Sequence, residues 1–326
     1  MSDDAISERA GIALIRAAVD AYPGTELGIG DDAAILSLGE RALACHDLLI
    51  DGVHFRRAHA SLASIGHKAV AVNLSDIAAM GGRPRALLVG LVVPPEGLSA
   101  EELGELYAGM RRACEPHGVT IAGGDTTRGP ALMLAVTLLG ELPPGAPALT
   151  RAGARAGDLL CVSGPLGAAA AGLLVLEGTV ERTCTPHADA LIDAQLCPRA
   201  RLEDGRELAR AGARAGMDIS DGLALDAGRL AEHNGLAAVI DLDLVPLADG
   251  VSAVATAAGR DPALFAATGG EDYELLVAVA PQDHAQIARG LARPLSIVGR
   301  LTDGSGVRLE RAGRAVDARM LGWESP

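Results

Sequence analysis

Apolar positions recur every three to four residues from 5 to 22, which predicts a helix ended by Pro23-Gly24. Period-two runs at 33–38, 41–49 and 53–56 predict strands joined by short turns. Ser61 then reads as the N-cap of a long helix reaching Met80, stopped by Gly81-Gly82 and Pro84. A strand at 85–93 follows, and then a helix over 99–117 opened by a capping box of Ser99 and Glu102. Strands at 119–122 and 131–139 close this first half.

The Pro/Gly-rich stretch Leu142-Pro143-Pro144-Gly145-Ala146-Pro147 interrupts the pattern, and beyond it the pattern resets. Strands are expected at 158–163, into Met217-Asp218, and at 237–241, 274–280 and 296–301. Helices are expected at 166–177, 199–211, 221–234 and 281–291. The alternation predicts an α/β (α+β) chain of two domains, residues 1–141 and 142–326, joined near residue 145.

Composition narrows the functional classes. The chain has 326 residues, 49% hydrophobic and 21% charged, enough for two ordinary globular cores. Its formal charge of −14 is broken by no basic cluster, which argues against nucleic acid or an anionic membrane as partner. No run approaches the roughly 18 apolar residues of a membrane span. The acidic Met1-Ser2-Asp3-Asp4 start does not resemble a signal peptide. The cysteines at 45, 114, 161, 184 and 197 are odd in number and lack C-x-x-C spacing, so neither a zinc ribbon nor a disulfide framework is expected. A reducing cytoplasm is the expected compartment.

The chemistry concentrates in aspartates. Asp31, Asp32, Asp47, Asp76, Asp125, Asp218 and Asp221 fall in five short segments, most of them beside glycine or at a strand-to-helix junction. Carboxylate oxygens suit hard cations such as Mg2+, which binds through a few carboxylates, waters and substrate phosphates. Neighbouring glycines allow close backbone approach to a bulky polyanion. If the segments meet in one cleft, a nucleoside triphosphate carrying several Mg2+ ions fits them. No G-x-x-x-x-G-K-[ST] loop occurs, and the dinucleotide-binding glycine fingerprint is incomplete.

Each segment also admits a plainer reading. Gly28 to Asp32 and Gly123 to Gly129 are compatible with surface turns, the second with an Asx-turn in place of a backbone anion nest. Asp76, near Asn73 and Lys68 on one helical face, is a solvated stripe or a functional carboxylate in apolar surroundings. Ser220 is an N-cap or the start of a phosphate-binding helix, with Asp218 projecting at a strand end. Gly269-Gly270-Glu271-Asp272-Tyr273-Glu274 is a solvated acidic turn or a grip for a cationic substrate. Among six aromatic residues, Phe55 and Tyr273 fall inside these polar segments, where flat rings suit a heteroaromatic ligand.

Taken in order, GIGDDAAI at 28–35, DGVHF at 51–55, HKAVAVNLSDIAAMGG at 67–82, GGDTTRGP at 123–130, LTRAG at 149–153, DISDG at 218–222 and GGEDYEL at 269–275 resemble the thiamine-monophosphate kinase family. That family lies within the aminoimidazole-ribonucleotide-synthetase-like ATP enzymes. The resemblance implies an N-terminal mixed-sheet dimerisation domain and a C-terminal α/β domain, with ATP and several Mg2+ ions in the cleft between them. It implies direct in-line phosphoryl transfer from ATP to thiamine monophosphate within a homodimer.

Carried over by position, the implied metal ligands are Asp32, Cys45, His46, Asp47, Asp76, Asp125, Asp218 and Asp221. The implied ATP contacts are Tyr107, Gly124, Asp125, Arg151 and Ser220, and the substrate contacts His54, Glu271 and Trp323. Two departures stand out. Cys45-His46 replaces the small hydroxyl residues usual before Asp47, and Gly322-Trp323-Glu324-Ser325-Pro326 replaces an aromatic-rich end. Sister enzymes of the same superfamily and a nucleotide-binding protein without turnover are the competing readings.

Overall fold

The computed structural model describes residues 25–27, 34–38, 40–317 and 322. The helix expected at 5–22 lies outside them. Two sheets form, one per domain. The first contains β1 (Thr25–Leu27), β2 (Ala34–Leu38), β3 (Glu40–Ile50), β4 (Arg83–Val93), β5 (Thr120–Arg128) and β6 (Met133–Glu141), in the order β1-β2-β3-β6-β4-β5. Its pairs are antiparallel except β4 with β5, which are parallel and joined through a helix, α2 (Ala100–Cys114).

The long helix α1 (Leu62–Ala79) is the centre of the molecule. Ser61 caps it, its hydroxyl accepting from the Ser64 amide at 3.1 Å, as its place before the apolar run predicts. Fourteen of its eighteen residues are buried, because both domains cover it. Glycines permit the closest approaches. A Cβ on Gly66 would stand 2.0 Å from the Leu106 carbonyl oxygen of α2, and one on Gly205 would stand 1.9 Å from that of Ala78. The predicted capping box of α2 forms, with Glu102 N donating to Ser99 Oγ at 3.1 Å and Ser99 N to Glu102 Oε2 at 2.7 Å.

The second domain contains β7 (Leu159–Val162), α3 (Ala168–Leu176), α4 (Ala188–Leu196), α5 (Leu202–Ala211), β8 (Ala215–Asp218), α6 (Leu223–His233), β9 (Leu236–Asp241), α7 (Val251–Ala257) and α8 (Pro262–Thr268). It continues with β10 (Leu275–Val279), α9 (His284–Gly290), β11 (Ser296–Asp303), β12 (Gly306–Arg311) and β13 (Arg314–Val316). The sheet order is β13-β12-β9-β11-β7-β10-β8, antiparallel except for β9 with β12. Asp218 does end a strand. That strand pairs antiparallel with β10, so the ligand rule for parallel doubly wound sheets does not account for its position.

Three sequence expectations change. Residues 53–56 form a turn, with Val53 N and His54 N both donating to Ile50 O at 3.1 and 3.0 Å. The strand expected at 119–122 runs on to Arg128, carrying the Gly123-Gly124-Asp125 segment inside a sheet edge. The helices α4, α7 and α8 do not follow from the sequence pattern, being short and rich in alanine. Among the described residues no helix is long and apolar enough to cross a membrane.

Candidate active site

A cleft of about 500 Å³ opens between the domains. Its N-terminal wall comes from Asp47 on β3, the turn carrying His54, Phe55 and Arg56, and the first half of α1, including Lys68. Its C-terminal wall comes from α3, the end of α4, Ser220 and Asp221, and the segment Gly270 to Tyr273.

The acidic segment is held in a strained shape. Glu271 and Tyr273 adopt φ of 68° and 51°, left-handed values that side chains other than glycine seldom take. Backbone bonds fix them: Glu271 N donates to Ser220 O at 2.7 Å and Tyr273 N to Ile219 O at 2.9 Å. Between them, Asp272 turns inward and receives the amides of Gly167 at 2.7 Å and Ala169 at 3.3 Å at the start of α3. Enclosure of this carboxyl pushes it up to about 7, against the lowering effect of those amides.

The inversion aims Glu271 into the cleft. Lys68 Nζ reaches its Oε1 at 2.7 Å and also donates to His54 O at 3.3 Å, with the lysine side chain only 4% exposed. Gln195 Nε2 donates to its Oε2 at 2.6 Å. His54 Nδ1 accepts from Ile50 N at 3.1 Å, which puts the proton of the neutral ring on Nε2.

Deeper in, Ser75 Oγ donates to Asp218 Oδ2 at 2.6 Å, linking α1 to β8. Tyr273 is buried within electrostatic reach of Asp47, Asp76, Asp218 and Glu271. Burial first, and then these four carboxylates, raise its phenol well above the ordinary range. This is an acidic centre assembled from both domains.

Asp221 pairs with Arg229, which also reaches Asp226 Oδ1 at 3.0 Å. The turn before α6 differs from expectation. Gly222 is the N-cap, and the amides of Ser220, Asp221 and Gly222 all donate to Asp226 Oδ2 at 3.0–3.1 Å. These amides are therefore engaged by an internal carboxylate and are not presented to a phosphate. Burial, then the neighbouring Asp221, pushes Asp226 up to about 7, and Arg229 acts in the opposite direction.

Other expected residues are placed apart from the cleft lining. Cys45 is buried, its Sγ donating to Asn73 O at 3.4 Å. Burial, then Asp76 and Asp47, raise its thiol well above its usual value. His46 alternates to the opposite, open face of β3, where Nδ1 meets Thr137 Oγ1 at 2.8 Å. It therefore does not share a site with Asp47 within one chain. Asp125 is exposed on the edge strand and accepts from Thr126 N at 2.9 Å. Gly124 is explained by packing, since a Cβ there would stand 1.9 Å from Val89 O on β4. Tyr107 packs on α2 against the N-terminal core. The Arg151 carbonyl accepts from Asn234 Nδ2 at 2.7 Å, and its charge reaches Asp226. Asp32 and Trp323 lie outside the described residues.

Among the described residues no three His, Cys, Asp or Glu side chains form a ready-made metal cage. The donor chemistry nevertheless fits Mg2+. Asp47 and Asp221 line the cleft, and Ser75, next to Asp76, holds Asp218. Mg2+ is held by one or two carboxylates plus substrate phosphates and water in preference to an all-protein cage. Lys68, Gln195 and Asp226 were not singled out as site residues from sequence. Lys68 carried a signal, as a cation within an apolar helix, whereas Gln195 lies on a helix that sequence periodicity did not reveal.

Comparison with known proteins bears on the same two walls. Residues 30–142 match the AIR synthase related protein N-terminal domain, and 155–311 its C-terminal domain. The thiamine-monophosphate kinase of Rhodopirellula baltica is 35% identical over 92% of this chain and 91% of its own. That of Escherichia coli K12 is 37% identical over 92% and 91%. The solved structure of AaThiL complexed with AMPPCP and TMP superposes with a TM-score of 0.86 at 32% identity, covering 99% of this chain and 98% of that one. Shared over nearly their whole length, fold and sequence together establish that the chain belongs to the thiamine-monophosphate kinase family.

Proposed function

We propose that this chain transfers the γ-phosphoryl group of ATP to thiamine monophosphate, forming ADP and thiamine diphosphate. The observation that carries the reading is the cleft itself, where His54, Asp47 and Lys68 of one domain face Asp221 and Glu271 of the other. Relatives at 35–37% identity bear this activity in their names. In phosphoryl transfer a protein mainly positions its reactants and neutralises charge, which agrees with a site built from carboxylates.

In this reading Glu271, oriented by Lys68 and Gln195, faces the cationic thiazolium and aminopyrimidine, with His54 beside it. Asp47, Asp76, Asp218 and Asp221 would hold Mg2+, with Asp32 and Asp125 as the remaining ligands. The metal would neutralise charge on the phosphate oxygens. Tyr107, Gly124, Arg151 and Ser220, the last through its hydroxyl because its amide is engaged by Asp226, are proposed on the ATP side and Trp323 on the substrate side. Residues 1–141 and 142–326 are taken as the two domains. The exposed Leu48, Leu88 and Leu139 on the first sheet suit pairing with a second copy of the chain. All five cysteines are free thiols, in keeping with a reducing cytoplasm.

The test incubates purified chain with ATP, Mg2+ and thiamine monophosphate and identifies products by mass. Thiamine diphosphate forming only when all three are present supports the reading. ATP consumption without it would assign the chain a different acceptor.

A further inference from the structure

One polar atom in the cleft, Oε1 of Gln195, has no role in the reading above. Gln195 ends α4, lines the cleft and is 6% exposed. Its Nε2 donates to Glu271 Oε2 at 2.6 Å. A carboxylate can only accept, so this contact fixes the amide orientation and leaves Oε1 as an acceptor turned away from Glu271. That Oε1 is enclosed and has no hydrogen-bond partner among the described residues. An enclosed amide oxygen without a donor is unfavourable, and native proteins seldom keep one unless a ligand or water supplies the donor. The nearby donor Lys68 is already directed at Glu271 Oε1 and His54 O. Ala170, Leu173 and Leu176 of α3 add an apolar wall suited to a flat ring.

We propose that Gln195 is a specificity-determining residue, its Oε1 accepting a hydrogen bond from the exocyclic amine of the substrate's aminopyrimidine ring. The site thereby selects an acceptor whose ring offers an N–H at that position and rejects one offering a carbonyl, which would set two acceptors against each other. The inference rests on the proposed function and adds the chemical feature by which the acceptor is chosen.

The experiment measures kcat and KM for thiamine monophosphate and for its 4-oxo analogue, oxythiamine monophosphate, on the full chain. Gln195→Met removes both polar atoms at nearly constant length. Gln195→Lys keeps an N–H donor towards Glu271 and removes the acceptor. The wild type is expected to favour the amine by roughly tenfold or more in kcat/KM, mainly through KM. Both variants should bring that preference close to unity, the loss falling mainly on KM for thiamine monophosphate. Should one variant fail to fold, the other carries the comparison. An unchanged preference in the variants overturns the proposal, and so does its loss in Gln195→Met alone, which would show the effect passing through Glu271. If the wild type forms no thiamine diphosphate, the proposed function falls and this inference with it. If it forms the product and the preference persists in the variants, the inference fails alone.

Discussion

Ser75 Oγ donates to Asp218 Oδ2 at 2.6 Å, so the helix at the centre of the N-terminal domain sets the last residue of a strand in the other. The neighbouring residues on each side, Asp76 and Asp221, are two of the carboxylates assigned to the metal. The alignment of the two halves of the site therefore depends on a buried hydroxyl. Ser75→Ala is expected to lower stability by about 1–3 kcal/mol and to reduce kcat more than it changes either KM. Thermal unfolding and steady-state kinetics check both parts, and an unaltered kcat would show that this link does not align the site.

Lys68→Met leaves Glu271 without its cation in a largely buried corner. Breaking such a pair costs about 3 kcal/mol, less here because Glu271 is partly exposed to water. The KM for thiamine monophosphate should rise while that for ATP holds. Equal rises in both would place Lys68 outside the acceptor site.

Chelation with EDTA should abolish ADP formation, and added Mg2+ should restore it. Asp76→Asn should need more Mg2+ and lose roughly a hundredfold in kcat. Activity that survives chelation would remove the metal from the site.

Asp272 makes stability depend on pH. Its folded pKa, about 7, lies above the ordinary 3.8, so between those values the folded state holds more protons than the unfolded. Its contribution to stability is therefore greatest below about 4 and is lost as pH rises towards 7. Asp272→Asn should flatten that part of the profile in denaturant unfolding measured from pH 4 to 8. A profile identical to the parent's would mean that the carboxyl titrates normally.

Gly124→Ala should destabilise the chain by about 3 kcal/mol, because the new methyl would meet Val89 O between β4 and β5. Calorimetry with and without ATP separates this from a nucleotide contact. An intact fold with weakened ATP binding alone would show that Gly124 serves the nucleotide and not the sheet.

Sequence periodicity revealed the elements with strong local signals. Ser61 and the Ser99–Glu102 box marked helix starts because capping is a short-range interaction. The prolines after residue 142 marked the break between sheets for the same reason. Asp226 was missed because its role is to gather three amides from the preceding turn, and in sequence it looks like any acid placed in a first turn to complement the helix dipole. At Gly124 the sequence does not separate two uses, because a glycine needed for sheet packing and one needed for a ligand look alike. His46 was grouped with Asp47 by adjacency, although adjacent strand residues face opposite sides.

Lys68 and Asp76 lie eight residues apart on α1, a separation of about 12 Å along the helix axis. That helix is enclosed by both domains and cannot stretch, so under the proposed assignment it would be a fixed gauge between the residues proposed for the acceptor's ring and those proposed for the phosphate charge. An acceptor too short to span it would occupy the Glu271 end with its reactive oxygen stranded from the triphosphate. In that case molecular length, as much as polar recognition, decides which compounds are phosphorylated and which merely inhibit.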